Sequence, residues 1–481
     1  MNLHKLDVAI IAVYLVCITI FGLRFRKSQR SLRDYFLADR GIPWWAISLS
    51  IVAAETSTLT IISTPGIAYG GNFGFLQLVF GYLLGRVVIC LLLIPQYFRG
   101  EMFTAYQLID RRFGKHLHRL TAGVFLLTRA AAEGVRVWAI SIVIKEALGT
   151  SDIASIAIIM VLTLIYTFEG GLAAVIWTDV IQMFIYVSGT VIGFVTITHL
   201  IPGGWQAIHA ATASAGKLQV FDFSFTISNT YTFWAGLVGG MFLTTASHGT
   251  DQLLVQRLLA ARNERESKLA LLSSGVIVLA QFTLFLLVGA GLWVFYRLYP
   301  PTTAFASADT DKIFPRFIVQ HMPHGVSGLL IAAILAAAMS NLSAALNSLS
   351  STTVMDFYAR IRPAASDRNR VSFSRGATLV WGVVLFALAM ASRGRGKVLE
   401  TGLRIASVAY GGLLGVFLLG VVTKRARQTG AMIGMICGLA LNLYIWLWTK
   451  LPLTWYVTVG TLTTFVVGYL TSLLETDAQQ P

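Results

Sequence analysis

Long apolar runs, separated by short polar segments, follow one another along almost the whole chain. A run of about 20 apolar residues is long enough to cross the hydrocarbon core of a bilayer as a helix. About thirteen runs meet this criterion, and no polar segment between them is large enough to form a second domain. The pattern predicts an all-α integral membrane protein with a single transmembrane domain over 1–481. The predicted spans are 5–24, 44–66, 72–97, 119–146, 152–170, 173–200, 230–255, 267–296, 326–356, 374–392, 398–422, 430–448 and 453–474.

Composition and charge agree with a membrane protein. Of the 481 residues 56% are hydrophobic and 12% are charged, against roughly 25% charged in a soluble domain. Lys and Arg are concentrated in alternate loops, so the positive-inside rule places the N-terminus outside and the C-terminus in the cytoplasm, with the protein in the cell membrane. The segment "SRGRGK" at 392–397 fits this orientation poorly. Basic loops explain the net charge of +15, and no nucleic-acid partner is expected.

The cysteines and the N-terminus suggest no further processing. Cys17, Cys90 and Cys437 all fall within predicted spans, where small core residues are expected rather than disulfide partners. A signal peptide is not expected either, because the basic cluster follows the first apolar run instead of preceding it.

Two spans are interrupted by small and polar residues at membrane depth. The second span reads "ISLSIVAAETSTLTIISTPGIAYGG" from Ile47, and the seventh reads "FWAGLVGGMFLTTASHGTDQLLVQR" from Phe233. Such sequences suit discontinuous helices whose freed carbonyls face a cavity. Their separation by five spans suggests two five-helix repeats. The alternative is that the hydroxyls bond to their own helix and that Glu55 pairs with an arginine.

The fourth span carries three charges, Arg129, Glu133 and Arg136, on one helix face. Charges at this depth must pair or line water. They form either a structural ionic cluster, with Glu55 or Arg86 as partners, or a substrate contact. In the second case a guanidinium favours a carboxylate-bearing substrate, because its fork matches that group.

The ninth span carries an unusual density of hydroxyls and amides, in the stretch "AAAMSNLSAALNSLSST" from Ala336 to Thr352. Ser340 and Asn341 lie about halfway along it, and the alanines beside them allow another backbone to approach closely. Neutral oxygens of this kind can replace the hydration shell of sodium. The stretch suggests half of an ion site, with ordinary helix packing as the alternative. Asp179 in the sixth span also needs a partner, either sodium or a serine cluster.

Four motifs together resemble the sodium:solute symporter family. They are "DYFLADRGIPWW" (Asp34–Trp45), "GGLAAVIWTDVIQ" (Gly170–Gln182), "GTDQLLVQRLLAARN" (Gly249–Asn263) and "AAAMSNLSAALNSLSSTTVMDFY" (Ala336–Tyr358). The resemblance covers nearly the whole chain, but members carry substrates as different as sugars, proline, sialic acid, monocarboxylates, vitamins and iodide. It therefore identifies the family and leaves the substrate open.

The resemblance implies a LeuT-like fold, in which two inverted repeats of five helices each begin with a broken helix, the first and sixth of the core. The repeats would cover about 42–200 and 230–422. Three helices would lie outside them, at 5–24, 430–448 and 453–474.

The resemblance also implies a sodium site between the first broken helix and the ninth span. Its matching positions are Ala53, Thr56, Ala337, Ser340 and Asn341. Asn341 stands where members usually have a hydroxyl. A second sodium, bound by Asp179 and Ser343 together with Ser340, is disfavoured because Ala344 replaces a further hydroxyl. One sodium per cycle is expected.

The substrate pocket is expected beside the sodium site, between the two broken helices. Family positions nominate Ser57, Thr58, Thr60, Phe75, Gln77, Thr244, Ser247, His248 and, as a cytoplasmic-side gate, Tyr410. Arg129 is added because of its charge. An organic anion or amino acid and a sugar or polyol both remain candidate substrates.

The predicted function is sodium-coupled symport of a small organic solute by alternating access, with the solute, sodium and the lipid bilayer as partners. A proton-coupled symporter using Glu55 or Asp179 is one alternative. A transporter-like membrane sensor is another, although only "ETDAQQP" follows Leu474 and no output domain is expected. Neither metal-ligand spacing nor a nucleophile motif indicates an enzyme. The oligomeric state stays open.

Overall fold

The structure is a computed structural model that describes residues 3–24, 32–100, 102–300, 310–392 and 398–475. Part of the first basic cluster, at 25–31, and most of the "SRGRGK" segment lie outside these residues. Helices α1 to α10 build the first half of the described chain. They are Lys5–Leu23, Leu32–Leu37, Trp44–Glu55, Thr58–Gly70, Leu76–Leu92, Ile94–Tyr97, Tyr106–Phe113, Lys115–Leu148, Asp152–Leu200 and Gly204–Ser214.

Helices α11 to α20 build the second half. They are Phe233–Gly249, Gln252–Leu259, Glu264–Leu298, Ile313–His321, Val326–Thr352, Ala359–Ile361, Asp367–Ala391, Val398–Val422, Gln428–Trp448 and Tyr456–Leu474. A π-helical turn, Thr353–Tyr358, joins α15 to α16. Among the described residues the sole β-type pairing is an isolated bridge between Ile42 and Ala261, so the all-helical prediction is confirmed.

The helices are long and apolar enough for a multi-pass membrane protein. Eight helices in the described part meet this criterion by length and composition, and the bent pair α3–α4 makes a ninth. α5 and the first part of α9 are apolar but shorter. Long apolar side chains such as Leu127, Val383 and Leu470 are exposed on the outside of the bundle, where lipid would contact them. Cys17 is also exposed, unlike the buried Cys90, so its predicted place in the core is wrong.

Two breaks lie within the spans that the sequence predicts to be interrupted, and a kink lies between the predicted spans 152–170 and 173–200, which the structure joins in one helix. α3 ends at Glu55 and α4 begins at Thr58, with a bend of 64° between their axes. At this break the Ser57 N–H donates to Thr60 Oγ1 at 3.3 Å instead of continuing the helical ladder. α9 is kinked at Gly171, whose φ of 55° favours glycine. α11 ends at Gly249, and Asp251 caps α12 by accepting from the Leu253 N–H at 2.9 Å.

α15 lies at the centre of the bundle, and 94% of its best span is buried inside the protein. It packs against α9, α8, α1 and α17, and its middle contacts α3 beside the break. The alanines at 336–338 leave room for this approach, since a small side chain lets neighbouring backbones come close. The hydroxyls and amides of α15 therefore face protein on every side, not lipid.

A candidate ion and solute site at the broken helices

An amide of α15 holds the end of α3. Asn341 Nδ2 donates to the carbonyl oxygen of Ala54 at 2.9 Å, and Thr58 Oγ1 donates to the Ile334 carbonyl at 3.4 Å. Thr56, in the break itself, accepts from Gln281 Nε2 at 2.8 Å. The residues predicted for the sodium site are all buried here: Ala53, Thr56, Ala337, Ser340 and Asn341. The oxygens that these residues offer are carbonyl, hydroxyl and amide oxygens, which are neutral themselves and suit a sodium ion that must be released in each cycle.

Asp179 finds its partners in a buried cluster of serine and arginine. Its Oδ1 accepts from Ser340 Oγ at 2.7 Å, while Oδ2 accepts from Ser50 Oγ at 2.5 Å and from Arg257 Nη2 at 2.8 Å. Arg257 also donates to Ser50 through Nε, at 2.7 Å. Ser343 donates to the Ser340 carbonyl of its own helix at 3.0 Å. The carboxylate charge is thus balanced by Arg257, a partner that the sequence did not nominate.

The charges of the fourth predicted span form an ionic chain with the second broken helix. Arg129 pairs with Glu133 at 3.0 Å and with Asp251, at the α11–α12 break, at 3.4 Å. Arg136 pairs with the same Glu133 oxygen at 3.3 Å. Tyr410 OH donates to Asp251 at 2.7 Å. The structural ionic cluster that the sequence suggested is present, but its further partner is Asp251 and not Glu55 or Arg86.

Glu55 belongs to a second charged cluster. It pairs with Arg86 of α5, and His248 Nε2 lies 3.3 Å from the same carboxylate. His248 Nδ1 lies 2.9 Å from Ser247 Oγ, so the ring is held between a hydroxyl and an ion pair. Arg86 is fully buried and also donates to Ser274 at 3.3 Å. The arginine partner that the alternative interpretation of the second span gave to Glu55 is therefore present.

A cavity of about 150 Å³ lies between the two charged clusters and reaches the Ala54 end of α3. Eight of the nominated substrate residues line it: Ser57, Thr60, Phe75, Arg129, Thr244, Ser247, His248 and Tyr410. Further lining residues include Tyr82, Arg136, Tyr231, Asp251 and Phe282. The wall combines aromatic and aliphatic surface with guanidinium, carboxylate and hydroxyl groups, as binding sites for small solutes usually do.

Two nominated residues do not line this cavity. Thr58 turns toward α15 because it is the first residue after the break, where its hydroxyl reaches Ile334. Gln77 faces the segment before α11: its amide nitrogen donates to the Tyr231 carbonyl at 3.1 Å, and its Oε1 accepts from the Asp222 N–H at 2.9 Å. Both side chains form hydrogen bonds to backbone groups. Thr58 joins α4 to α15, and Gln77 joins α5 to the segment before α11.

Sequence reasoning also missed several residues of the site. Asp251 stands in the motif "GTDQLLVQR" directly after the broken helix, where a carboxylate that caps a helix start could have been suspected. Arg257 lies six residues further along the same motif, and no local pattern pairs it with Asp179, which is 78 residues away. Tyr231 comes from an irregular segment, so no helical periodicity marks it.

Among the described residues no group of three or more His, Cys, Asp and Glu side chains is arranged to hold a metal ion. The groups that the sequence predicts to hold a cation at this site are carbonyl, hydroxyl and amide oxygens. These are ligands for a hard, weakly held ion, in line with transport of that ion as cargo.

Known proteins of similar sequence are sodium-coupled transporters. A model of the sodium:solute symporter family matches residues 35–438. The chain is 28% identical to the sodium/sialic acid symporter SiaT of Proteus mirabilis (strain HI4320), over 100% of this chain and 98% of the relative. It is also 28% identical to the sodium/iodide cotransporter of Homo sapiens, over 91% of this chain and 69% of the relative.

Solved structures give the same answer for the fold. A substrate-bound, outward-open Na+-coupled sialic acid symporter matches with a TM-score of 0.90 and 27% identity, covering 99% of this chain and 100% of that chain. Mhp1, a nucleobase-cation-symport-1 family transporter, matches with a TM-score of 0.61 at 12% identity, over 91% of this chain and 93% of its own, which shows likeness of fold alone. These neighbours have the LeuT-like fold.

The family match extends over most of the chain, and the matched residues include both broken helices and the hydroxyl-rich helix α15. The predicted family, the coupling to sodium and the absence of an enzymatic role are confirmed. The chain belongs to the sodium:solute symporter family, and it is a sodium-coupled secondary transporter of the membrane.

Proposed function

We propose that this transporter imports a small organic anion with one sodium ion by alternating access. The observation that carries the proposal is the cavity at the α3–α4 break, in which Arg129 and Arg136 face the same space as the Ala54 end of α3. A guanidinium in a partly dry site is well suited to bind a carboxylate. Two relatives are named for sialic acid and for monocarboxylates, and these solutes contain a carboxylate.

The proposed sodium site consists of backbone carbonyls at Ala53 and Thr56, the Ala337 carbonyl, and the side-chain oxygens of Ser340 and Asn341. The supporting geometry is the contact of α15 with the end of α3, where the Asn341 amide reaches the Ala54 carbonyl. Sodium at this position would join the broken helix to α15. That junction would order the cavity wall before solute binds.

A second sodium at Asp179 and Ser343 is not part of the proposal. Arg257 balances the Asp179 charge, and Ser343 donates to its own helix. Ala344 offers no hydroxyl there. These three observations support a stoichiometry of one sodium per solute.

The proposal includes the finer architecture of about thirteen transmembrane helices in a 5+5 inverted repeat, a pattern known for transporters of this kind. Two interrupted helix pairs, α3–α4 and α11–α12, support the repeats at about 42–200 and 230–422. The helices at 5–24, 430–448 and 453–474 would lie outside the repeats. Tyr410, bonded to Asp251 at the second break, is proposed as the gate on the cytoplasmic side of the cavity.

The proposed orientation has the N-terminus outside and the C-terminus in the cytoplasm of the cell membrane. Tyr231 and Leu453 line the cavity, and both lie at the ends of predicted spans that this orientation places on the outer side. The solute would therefore enter from the outer face, and the inward sodium gradient together with the membrane potential would supply the driving force. A potential contributes about 2.3 kcal/mol per charge per 100 mV.

Uptake into proteoliposomes tests the proposal. We expect an inward sodium gradient to drive uptake of a labelled carboxylate such as sialic acid or a short monocarboxylate, and a proton gradient of equal size to drive none. We expect Ser340→Ala to abolish the sodium dependence. Ser348→Ala is the matched control, because that buried hydroxyl on the same helix donates to its own backbone at Ala345.

A panel of solutes separates the substrate classes. Carboxylates should raise the unfolding temperature of the purified protein in sodium, and Arg129→Gln should reduce this effect. Glucose, a polyol and proline serve as the comparison set. Stabilisation by the sugar or polyol alone, unaffected by the arginine change, would overturn the organic-anion assignment.

A further inference from the structure

Both the nitrogen and the oxygen of the Asn341 side-chain amide form hydrogen bonds. Nδ2 donates to the Ala54 carbonyl at 2.9 Å, and Oδ1 accepts from Arg136 Nη1 at 3.1 Å. The partners determine this orientation, since a carbonyl can only accept and a guanidinium can only donate. The amide therefore joins α3, α15 and α8 at one buried point.

Arg136 and a sodium ion would compete for Asn341 Oδ1. In the proposed sodium site this oxygen is a ligand, and the Asn341 side chain is 3% exposed, so the repulsion between two cations beside it is poorly screened by water. Coordination of sodium by Oδ1 would thus weaken the hydrogen bond from Arg136. The competition is specific to an asparagine with this pair of partners.

The cavity offers space for the Arg136 side chain to move into when it leaves Asn341. It lines the cavity, and 22% of its side chain is exposed, against 6% for Arg129. Arg129 is held by both Glu133 and Asp251. Within the described part of the chain, the remaining partner of Arg136 is a Glu133 oxygen that Arg129 already shares. Arg136 is thus the less restrained of the two guanidinium groups that face the solute.

We infer that Asn341 is a positioning residue that couples sodium to solute through Arg136, an inference that rests on the proposed function. Sodium at Oδ1 displaces the guanidinium of Arg136, which then turns to the anionic group of the solute. Because such coupling is reciprocal, a bound anion that attracts Arg136 relieves the repulsion at Oδ1 and strengthens sodium binding.

A double-mutant cycle tests the inference. Sodium binding is measured without solute, as the sodium concentration that half-maximally raises the unfolding temperature of the full chain, with choline keeping the ionic strength constant. We expect Arg136→Gln to lower this concentration by about fivefold when Asn341 is present, and by less than about twofold in the Asn341→Ser background. Lys145→Gln removes a positive charge from an exposed position on the same helix, where the side chain pairs with Asp152 and not with Asn341, and we expect it to change the concentration by less than about twofold.

A second comparison does not depend on folding of the Asn341 variant. Arg136→Lys keeps a positive charge near Oδ1, so its sodium dependence should stay closer to that of the unaltered protein than Arg136→Gln does. A carboxylate solute should also tighten sodium binding in the unaltered protein and lose most of this effect in Arg136→Gln.

The inference is overturned if Arg136→Gln changes sodium binding equally with Asn341 present and in the Asn341→Ser background, or if it weakens sodium binding in the presence of Asn341. If the unaltered protein shows no sodium-dependent stabilisation, the proposed function fails and takes the inference with it. If the unaltered protein binds sodium and the cycle is additive, the inference alone fails.

Discussion

A buried ion pair between Asp179 and Arg257 connects α9 to α12, next to the ninth predicted span. Both side chains are almost fully buried, and the two serines Ser50 and Ser340 complete their hydrogen bonds. Removing two charges from water is costly, and their attraction offsets this cost only when the pair is complete. Loss of either partner leaves an unpaired charge inside the bundle.

We expect Arg257→Met to reduce the free energy of unfolding by about 3–5 kcal/mol, because Asp179 would remain charged and buried. Adding Asp179→Asn should restore most of this loss. Arg262→Met is the control, since Arg262 is exposed and lies 3.9 Å from Glu266, and its loss should cost at most about 1 kcal/mol. Denaturant or thermal unfolding in detergent measures the series. Additive losses in the double variant would contradict this account.

Close contact between α5 and α11 organises the wall of the cavity at the level of elements. A Cβ added to Gly240 would lie 2.3 Å from the Leu78 carbonyl oxygen, and one added to Gly81 would lie 2.4 Å from the Gly236 carbonyl oxygen. At both positions a Cβ would overlap a carbonyl oxygen of the facing helix, so glycine alone fits there. In the absence of a hydrophobic driving force between helices in lipid, such contact of small residues holds helices together.

Gly240→Ala should therefore separate α5 from α11, which carry Tyr82 and Thr244 of the cavity wall. We expect a loss of about 1–3 kcal/mol in stability, as for other overpacked sites, together with weaker solute binding. Gly123→Ala on α8 is the control, because its added Cβ would meet no atom within 4 Å. Thermal unfolding and solute titration of both variants would check this, and an equal response of the two glycines would count against it.

At the two proposed membrane faces of the molecule, different polar contacts join helices to each other or to a connecting segment. On the proposed outer side, Lys217 donates to the Tyr69 carbonyl near the end of α4, at 2.7 Å, and to the carbonyl of Gly71 just beyond α4, at 2.9 Å. On the proposed inner side, Asp356 of the π-helical turn lies 3.0 Å from His118 Nε2 of α8. The outer tie holds one half of a broken helix, and the inner tie holds the end of α15, so both ends act on elements that meet at the proposed sodium site.

The orientation of the molecule can be tested by cysteine labelling in intact cells. In a background with the three native cysteines replaced by alanine, we expect Ser224→Cys to react with a membrane-impermeant maleimide from outside. Asn369→Cys should react only after permeabilisation. Both positions are exposed, so access and not burial decides the result. The reverse pattern would invert the proposed topology.

The element level was largely predictable from the sequence. The apolar runs, the polar interruption at Glu55 to Thr60 and the boundary between the predicted spans 152–170 and 173–200 depend on residues that are close along the chain. The helices begin, break or bend near those places. Ser340 and Asn341 could be nominated because hydroxyls and amides are costly at membrane depth unless they serve a purpose. This reasoning needs residue types and spacing alone.

Tertiary structure decided which charges meet. Arg129 bonds to Asp251 across 122 residues, Asp179 to Arg257 across 78, and Asn341 to Arg136 across 205. The sequence could require that each buried charge have a partner, because an unpaired charge in the bundle is too costly. It could not name the partner, since several arginines and carboxylates lie at similar depth and only the packing of α8, α12 and α15 brings one pair within hydrogen-bond distance.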